Sequence, residues 1–190
     1  MTIIMHKPLY KIILALCIAV GLMALAKGGY IQLKAELAQI LMQRAWQQAT
    51  YTHQLQRPWS WADTHVTGII RFNTEVHYIL DTQSARNLAF GPTLLAAGDA
   101  LGGTSNIIIA AHNDTHFSEI GSLKIGDIVE VESLEGVAKY LVTEYAIVDE
   151  GQTGILAPTN LPALTLITCY PFSANTFNSS QRYVVRAIRI

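Results

Sequence analysis

Charge is what this chain has little of. Only 14% of its 190 residues are Asp, Glu, Lys or Arg, against about 25% in an average soluble domain. The deficit is local: residues 12–26, IILALCIAVGLMALA, carry no charge at all. Basic excess is also missing. The first fifty residues hold five Lys/Arg and one acid, net +4, but the remainder holds eight Lys/Arg and thirteen Asp/Glu, net -5. An acidic body repels phosphate backbones, which excludes nucleic acid as the expected partner. No long block of like charge and no low-complexity tract occurs, which argues against disorder. Cysteine is scarce too. There are two, Cys17 and Cys169, so a disulfide framework within the body is excluded.

What is present begins with the apolar run. As a helix, fifteen residues rise about 22 Å, short of a roughly 30 Å hydrocarbon core. Adding Leu9 and Tyr10 before it and residues 28–33 after it makes a span feasible. Lys11 and Lys27 then snorkel toward the interfaces. A cleaved signal peptide competes, because Ala24-Leu25-Ala26 fits the small-x-small cleavage pattern. A buried core helix and a lipoprotein site at Cys17 are weaker alternatives. The segment that follows favours the uncleaved anchor: Leu33, Leu37, Ile40, Leu41 and Ala45 recur at helical spacing, as in an amphipathic stalk. The expected organisation is an anchor or signal over 1–33, a helical stalk over 34–57 and a catalytic body over 58–190. Lys7 and Lys11 keep the N-terminus inside. That makes a single-pass protein of the inner membrane whose body faces the periplasm or exterior.

In the body, short β-rich runs recur between turn signals, at 65–72, 76–80, 106–110, 128–132, 137–148, 164–169 and 182–190. Gly91-Pro92, Gly102-Gly103, Gly126-Asp127 and Glu135-Gly136 punctuate them. The run at 137–148 pairs with 128–132 through a hairpin at 133–136. Residues 82–88 are the best short helix. Seven or more short strands in about 130 residues predict an all-β closed barrel or a sandwich.

Three residues carry the candidate chemistry. Cys169 ends an apolar strand and is followed by Tyr170-Pro171, which cannot continue a central strand. An unpaired thiol in an exported body is a candidate nucleophile. His112 ends another apolar strand, and His is the usual proton partner of Cys. Arg182 opens the last strand, where alternation places Arg182, Val184 and Arg186 on one face. A guanidinium near a thiol stabilises a thiolate, or the oxyanion formed when thiolate attacks a carbonyl. All three are expected at a barrel rim. His112 and His116 have an HxxxH spacing, but Asn113-Asp114-Thr115 favours a turn over the helix a metal pair needs, so neither metal nor cofactor is expected.

Thr165-Leu166-Ile167-Thr168-Cys169 matches the sortase signature Thr-Leu-x-Thr-Cys. The stretch from Ala111 to Phe117 resembles the sortase histidine loop, Gly-His-Arg-Asp-Thr-His-Phe, with Ala111 and Asn113 as departures. Arg182-Tyr183-Val184-Val185 resembles the strand opened by the family arginine. The membrane segment, Arg57-Pro58-Trp59-Ser60-Trp61-Ala62-Asp63, Ala89-Phe90-Gly91-Pro92 and Cys169-Tyr170-Pro171-Phe172 make the chain similar to class GN sortases of Gram-negative bacteria.

The resemblance implies a closed eight-stranded sortase-type β-barrel with short helices after a transmembrane helix. It also implies a cysteine transpeptidase that cleaves a Leu-Pro-x-Thr-Gly-like C-terminal sorting signal of an exported protein and transfers it to an amine acceptor. Cys169 forms the thioester and His112 moves the protons. Arg182 holds substrate and oxyanion, Thr168 contributes a donor beside the nucleophile, and Asp114 shapes the loop. Two rivals stay open. One is an anchored cysteine peptidase or hydrolase; an L,D-transpeptidase would need a Ser-His-Gly-x-x-Gly region that is missing here. The other is a non-catalytic anchored β-barrel binding module.

Overall fold

A computed structural model describes residues 7–172 and 179–190, with side chains from Tyr10 onward. The side chain of Lys7, part of the expected positive flank, lies outside the described residues. The chain divides into two compact units, Met1–Ala38 and Gln39–Ile190.

In the first unit the apolar run is helical, as its composition predicts. It belongs to α1, Lys7–Thr52. Ile12, Leu16, Met23, Leu25 and Leu33 are all exposed. The helix is long and apolar enough to cross a membrane.

The second unit is a closed barrel in the order β1-β2-β3-β4-β7-β8-β6-β5. Its strands are β1 (Val66–Phe72), β2 (Glu75–Leu80), β3 (Thr93–Leu94), β4 (Asn106–Ala110), β5 (Ile128–Ser133), β6 (Gly136–Asp149), β7 (Ala163–Cys169) and β8 (Gln181–Arg189). All seven expected runs are strands. The eighth, β3, is only two residues long. The expected hairpin forms with Ser133 opposite Gly136, and Gly136 takes φ 126°, where a side chain would be strained. The short helix α2, Ala85–Leu88, is capped by Ser84, whose hydroxyl accepts from Asn87 N–H.

Two pairings are parallel, β2 with β3 and β4 with β7. The second sets up the site, because parallel neighbours end at the same end of the barrel. Period-two alternation sends Ile107, Ile109, Leu164, Leu166, Val185 and Ala187 into the main core. The outer wall carries two smaller apolar clusters. On one, Met42, Ala45, Trp46 and Ala49 of the last turns of α1 pack on Val66, Ile69 and Leu80. On the other, Ile108, Ile167 and Val184 are covered by Leu95, Val148, Ile155 and Leu156. Strands β4, β7 and β8 thus bury apolar side chains on both faces.

Candidate active site

Along β7, Leu164 and Leu166 point into the core and Ile167 into the outer cluster. Alternation then directs Thr165, Ile167 and Cys169 outward. Cys169 is a half-buried free thiol. On one side β8 runs antiparallel, with Cys169 opposite Arg182. Tyr170 N donates to Gln181 O at 3.0 Å, so 170/181 is a hydrogen-bonded pair. Cys169/Arg182 is therefore the non-hydrogen-bonded kind, with Cα atoms about 4.5 Å apart and side chains drawn together. On the other side β4 runs parallel, with Ala110 opposite Ile167. The same register continued by two residues brings His112 beside Cys169. Ala111 N donating to Ile167 O, at 3.2 Å, carries the ladder past the strand end.

Continued two residues past β4, that register puts His112 in one row with Cys169 and Arg182, which sit at the ends of β7 and β8, at one end of the barrel. The row lies at that rim and faces outward from the wall, beside the outer apolar cluster. His112 is exposed. Among the described residues, neither its ring nor the Cys169 thiol has a hydrogen-bond partner.

Arg182 is held more closely. Its Nη1 donates to Ser179 O at 2.7 Å and Gln181 O at 2.9 Å, and its Nη2 to Glu150 Oε2 at 2.7 Å. Arg186, two pleats along, donates through Nη2 to Ile155 O at 3.1 Å. It thereby fastens the connection that carries the 3-10 turn Thr153–Leu156. Thr165 supports the same connection indirectly. Its hydroxyl donates to Asn106 Oδ1 at 2.7 Å, and Asn106 Nδ2 reaches the carbonyls of Ile155 and Ala157.

Thr168 faces the opposite way from Cys169. Its buried hydroxyl donates to Ala111 O at 2.7 Å, tying the residue before Cys169 to the residue before His112. Asp114 is exposed and makes no hydrogen bond among the described residues. The bond that ties the histidine loop comes from its neighbour: Asn113 Nδ2 donates to Pro171 O at 2.9 Å. Phe172, just beyond, packs edge-on against Tyr170 and Tyr183. Gly121 permits this, since a Cβ there would meet Phe172 Cε2 at 2.8 Å.

The second histidine of the loop is a different object. His116 sits edge-on to His77, ring centroids 5.3 Å apart. Burial, then the nearby His77 and His112 rings, push its pKa down to about 4, against the opposing pull of the Ala89 backbone and Asp114. Burial also lowers His77, even with the Glu75 carboxylate 3.6 Å away. Both rings are therefore neutral near pH 7 and supply no charge to the site.

Sequence reasoning missed Glu150, Asn113 as a tether, and the outer apolar cluster. The cluster had a signal, since β4 and β7 are apolar at consecutive positions, the mark of strands buried on both faces. Glu150 had none, because its position depends on β6 pairing with β8.

A model of the sortase domain family matches residues 67–190. No curated protein gave a significant match. Sortase A from Corynebacterium diphtheriae is 28% identical, with 68% of this chain and 63% of that chain covered and a TM-score of 0.60. A pilus-related sortase C of Group B Streptococcus is 26% identical, covering 65% and 66%, also at TM-score 0.60. Listeria monocytogenes sortase A, at 24% identity and coverage of 66% and 87%, shares the fold at TM-score 0.60. With the signature cysteine, the histidine loop and the arginine strand brought into one row on this barrel, the chain belongs to the sortase family.

Proposed function

We propose that this protein is a membrane-anchored cysteine transpeptidase of the class GN type, acting on exported proteins that end in a Leu-Pro-x-Thr-Gly-like sorting signal. The observation that carries the reading is the His112–Cys169–Arg182 row on the outer wall, open to solvent on the His112 side.

The chemistry follows from the row. Cys169 Sγ, as thiolate, attacks the carbonyl carbon of the signal's Thr. The carbonyl oxygen becomes an oxyanion, which Arg182 stabilises with N–H donors. Collapse breaks the Thr–Gly bond, His112 protonates the departing amine, and a thioester to Cys169 remains. An incoming amine, deprotonated by His112, attacks the thioester and forms a new amide as the thiolate leaves. The half-buried Leu95, Ile155 and Leu156 offer apolar surface beside the row for the Leu-Pro part of the signal. Thr168 and Asn113 keep the histidine and cysteine loops in register through Ala111 O and Pro171 O.

The body is proposed to face the periplasm, tethered through the inner membrane by the first unit's helix, with Lys7 and Lys11 inside.

A single-turnover reaction with a Leu-Pro-x-Thr-Gly peptide tests the reading. Intact-mass measurement should find the protein heavier by the acyl fragment, and an added amine should convert that adduct to a new amide. Release of the acyl group only to water, at any amine concentration, would make the protein a hydrolase of the same fold. An adduct formed on Cys169→Ala would overturn the assignment of the nucleophile.

A further inference from the structure

Arg182 has five N–H donors, and three are already committed within the protein. Both Nη1 hydrogens go to backbone carbonyls, Ser179 O and Gln181 O, and one Nη2 hydrogen goes to Glu150 Oε2. Among the described residues, the Nε–H and the second Nη2–H have no partner. A guanidinium pinned at three points has its plane fixed, and fixed donors are what an oxyanion site requires. A long cationic side chain without such pins samples many rotamers.

Glu150 is the one charged pin. Its place comes from the barrel. β6 and β8 pair with Val148 opposite Arg182 and Asp149 opposite Gln181. Glu150 N donates to Ser180 O at 2.7 Å, which extends the ladder one step beyond β6. Val148 lies in the outer cluster, so alternation returns Glu150 to that outward face, the face of Arg182. The arginine side chain is 27% exposed and the glutamate 59%. A carboxylate that exposed contributes little to folding. Its service is to geometry.

We propose that Glu150 is a positioning residue for the acyl-transfer reaction: it holds the Arg182 guanidinium so that the uncommitted Nε–Nη2 edge is presented to the developing oxyanion on the substrate bound at Cys169. The proposal rests on the reading of Arg182 as the oxyanion cation. It makes Glu150 a partner of the transition state through Arg182, with no contact to substrate of its own.

The test is single-turnover acylation of the full chain with a Leu-Pro-x-Thr-Gly peptide, resolved into a maximal rate and a half-saturating concentration. Glu150→Ala should lower the maximal rate about tenfold, the scale of a modest misplacement of a reacting group. It should leave half-saturation within about twofold and the melting temperature nearly unchanged, because an exposed pair carries little stability. Glu150→Gln keeps an oxygen acceptor and should recover most of the loss. In an Arg182→Ala background, Glu150→Ala should cost nothing further. A Glu150→Ala rate equal to or above wild type, or a full additional loss in that background, would overturn the proposal while leaving Arg182 in its role. Failure of Arg182→Ala itself to slow acylation would instead overturn the reading of Arg182.

Discussion

Strands β4, β7 and β8 present two apolar faces, and the two faces do different work. The inner face is continuous core: Ile107, Ile109, Leu164, Leu166, Val185 and Ala187 meet the opposite wall of the barrel. The outer face is a short patch, Ile108, Ile167 and Val184, followed at the strand ends by His112, Cys169 and Arg182. Adjacent residues on one strand therefore belong to different systems. Leu166 is fully buried hydrocarbon, while Cys169, three residues on, is a half-buried thiol. A core face fixes the register, because a one-residue slip would turn every side chain over. The outer row inherits its alignment from that constraint.

The comparison breaks most sharply between those two residues. Cys169→Ala should abolish acylation, read as loss of the thioester mass adduct, with thermal stability preserved. Leu166→Ala should do the reverse, costing roughly 3 kcal/mol of folding free energy in urea titration while the folded fraction still acylates. A large stability loss at Cys169 would merge the two faces into one.

Within the outer face, Arg182 and Arg186 are separated by four residues, about 13 Å along the strand. That exceeds the roughly 8 Å screening length at physiological salt. Arg186 stands opposite Thr165 and holds Ile155 O, whereas Arg182 stands opposite Cys169. Arg182→Ala should slow acylation by roughly 100-fold, the effect of removing one oxyanion donor. Arg186→Ala should slow it by only a few-fold, and Arg182→Lys should restore little. Equal losses at the two positions would refute this division of labour.

The two histidines of one loop sharpen the contrast by pH. His116 is held neutral in the fold, with its pKa at about 4 against 6.5 for the free side chain. Between those values the unfolded chain binds the extra proton, so stability falls as pH falls. The loss begins near pH 6.5 and is complete near pH 4, roughly 2 kcal/mol after allowance for partial exposure. Burial of His77 acts in the same direction. Urea midpoints from pH 7 to pH 4 measure this slope, and His116→Phe should flatten it. An unchanged slope would show that acid sensitivity comes from elsewhere, such as the hydrogen-bonded Asp81 carboxylate. Burial raises that group, but bonds from His65, Thr64 and Thr82 outweigh it and leave its pKa low.

The smallest effect is expected in the other unit. Cys17 is exposed on an apolar helix, and Cys17→Ala should leave acylation of the full chain unchanged.

Much of this was legible in the chain. Runs of Val, Ile, Thr and Tyr between Gly and Pro signals marked seven strands, because branched side chains suit a pleated, buried surface. Cys169, His112 and Arg182 stood out by type and by position at strand ends. What stayed hidden depends on pairing between distant segments. Two residues, Thr93 and Leu94, are too few to show a period. The parallel β4–β7 contact, which aligns His112 with Cys169, has no local sequence signal. The spacing of Leu33, Leu37, Ile40, Leu41 and Ala45 pointed to a helix, and α1 runs through them, but Leu33, Leu37 and Ile40 are exposed. It did not reveal that Met42, Ala45, Trp46 and Ala49 would pack on Val66, Ile69 and Leu80. The Thr168 hydroxyl, one of two donors expected of that residue beside the thiol, is turned inward by alternation onto Ala111 O.

The insertion of β8 between β6 and β7 has a bearing on biogenesis. Until that strand arrives, β6 and β7 are open edges, and Cys169 has no cation at its side. Barrel closure and the placing of Arg182 opposite Cys169 thus depend on the same strand. Under the proposed function, a chain that stops before β8 carries Cys169 without the guanidinium assigned to stabilise its acylation.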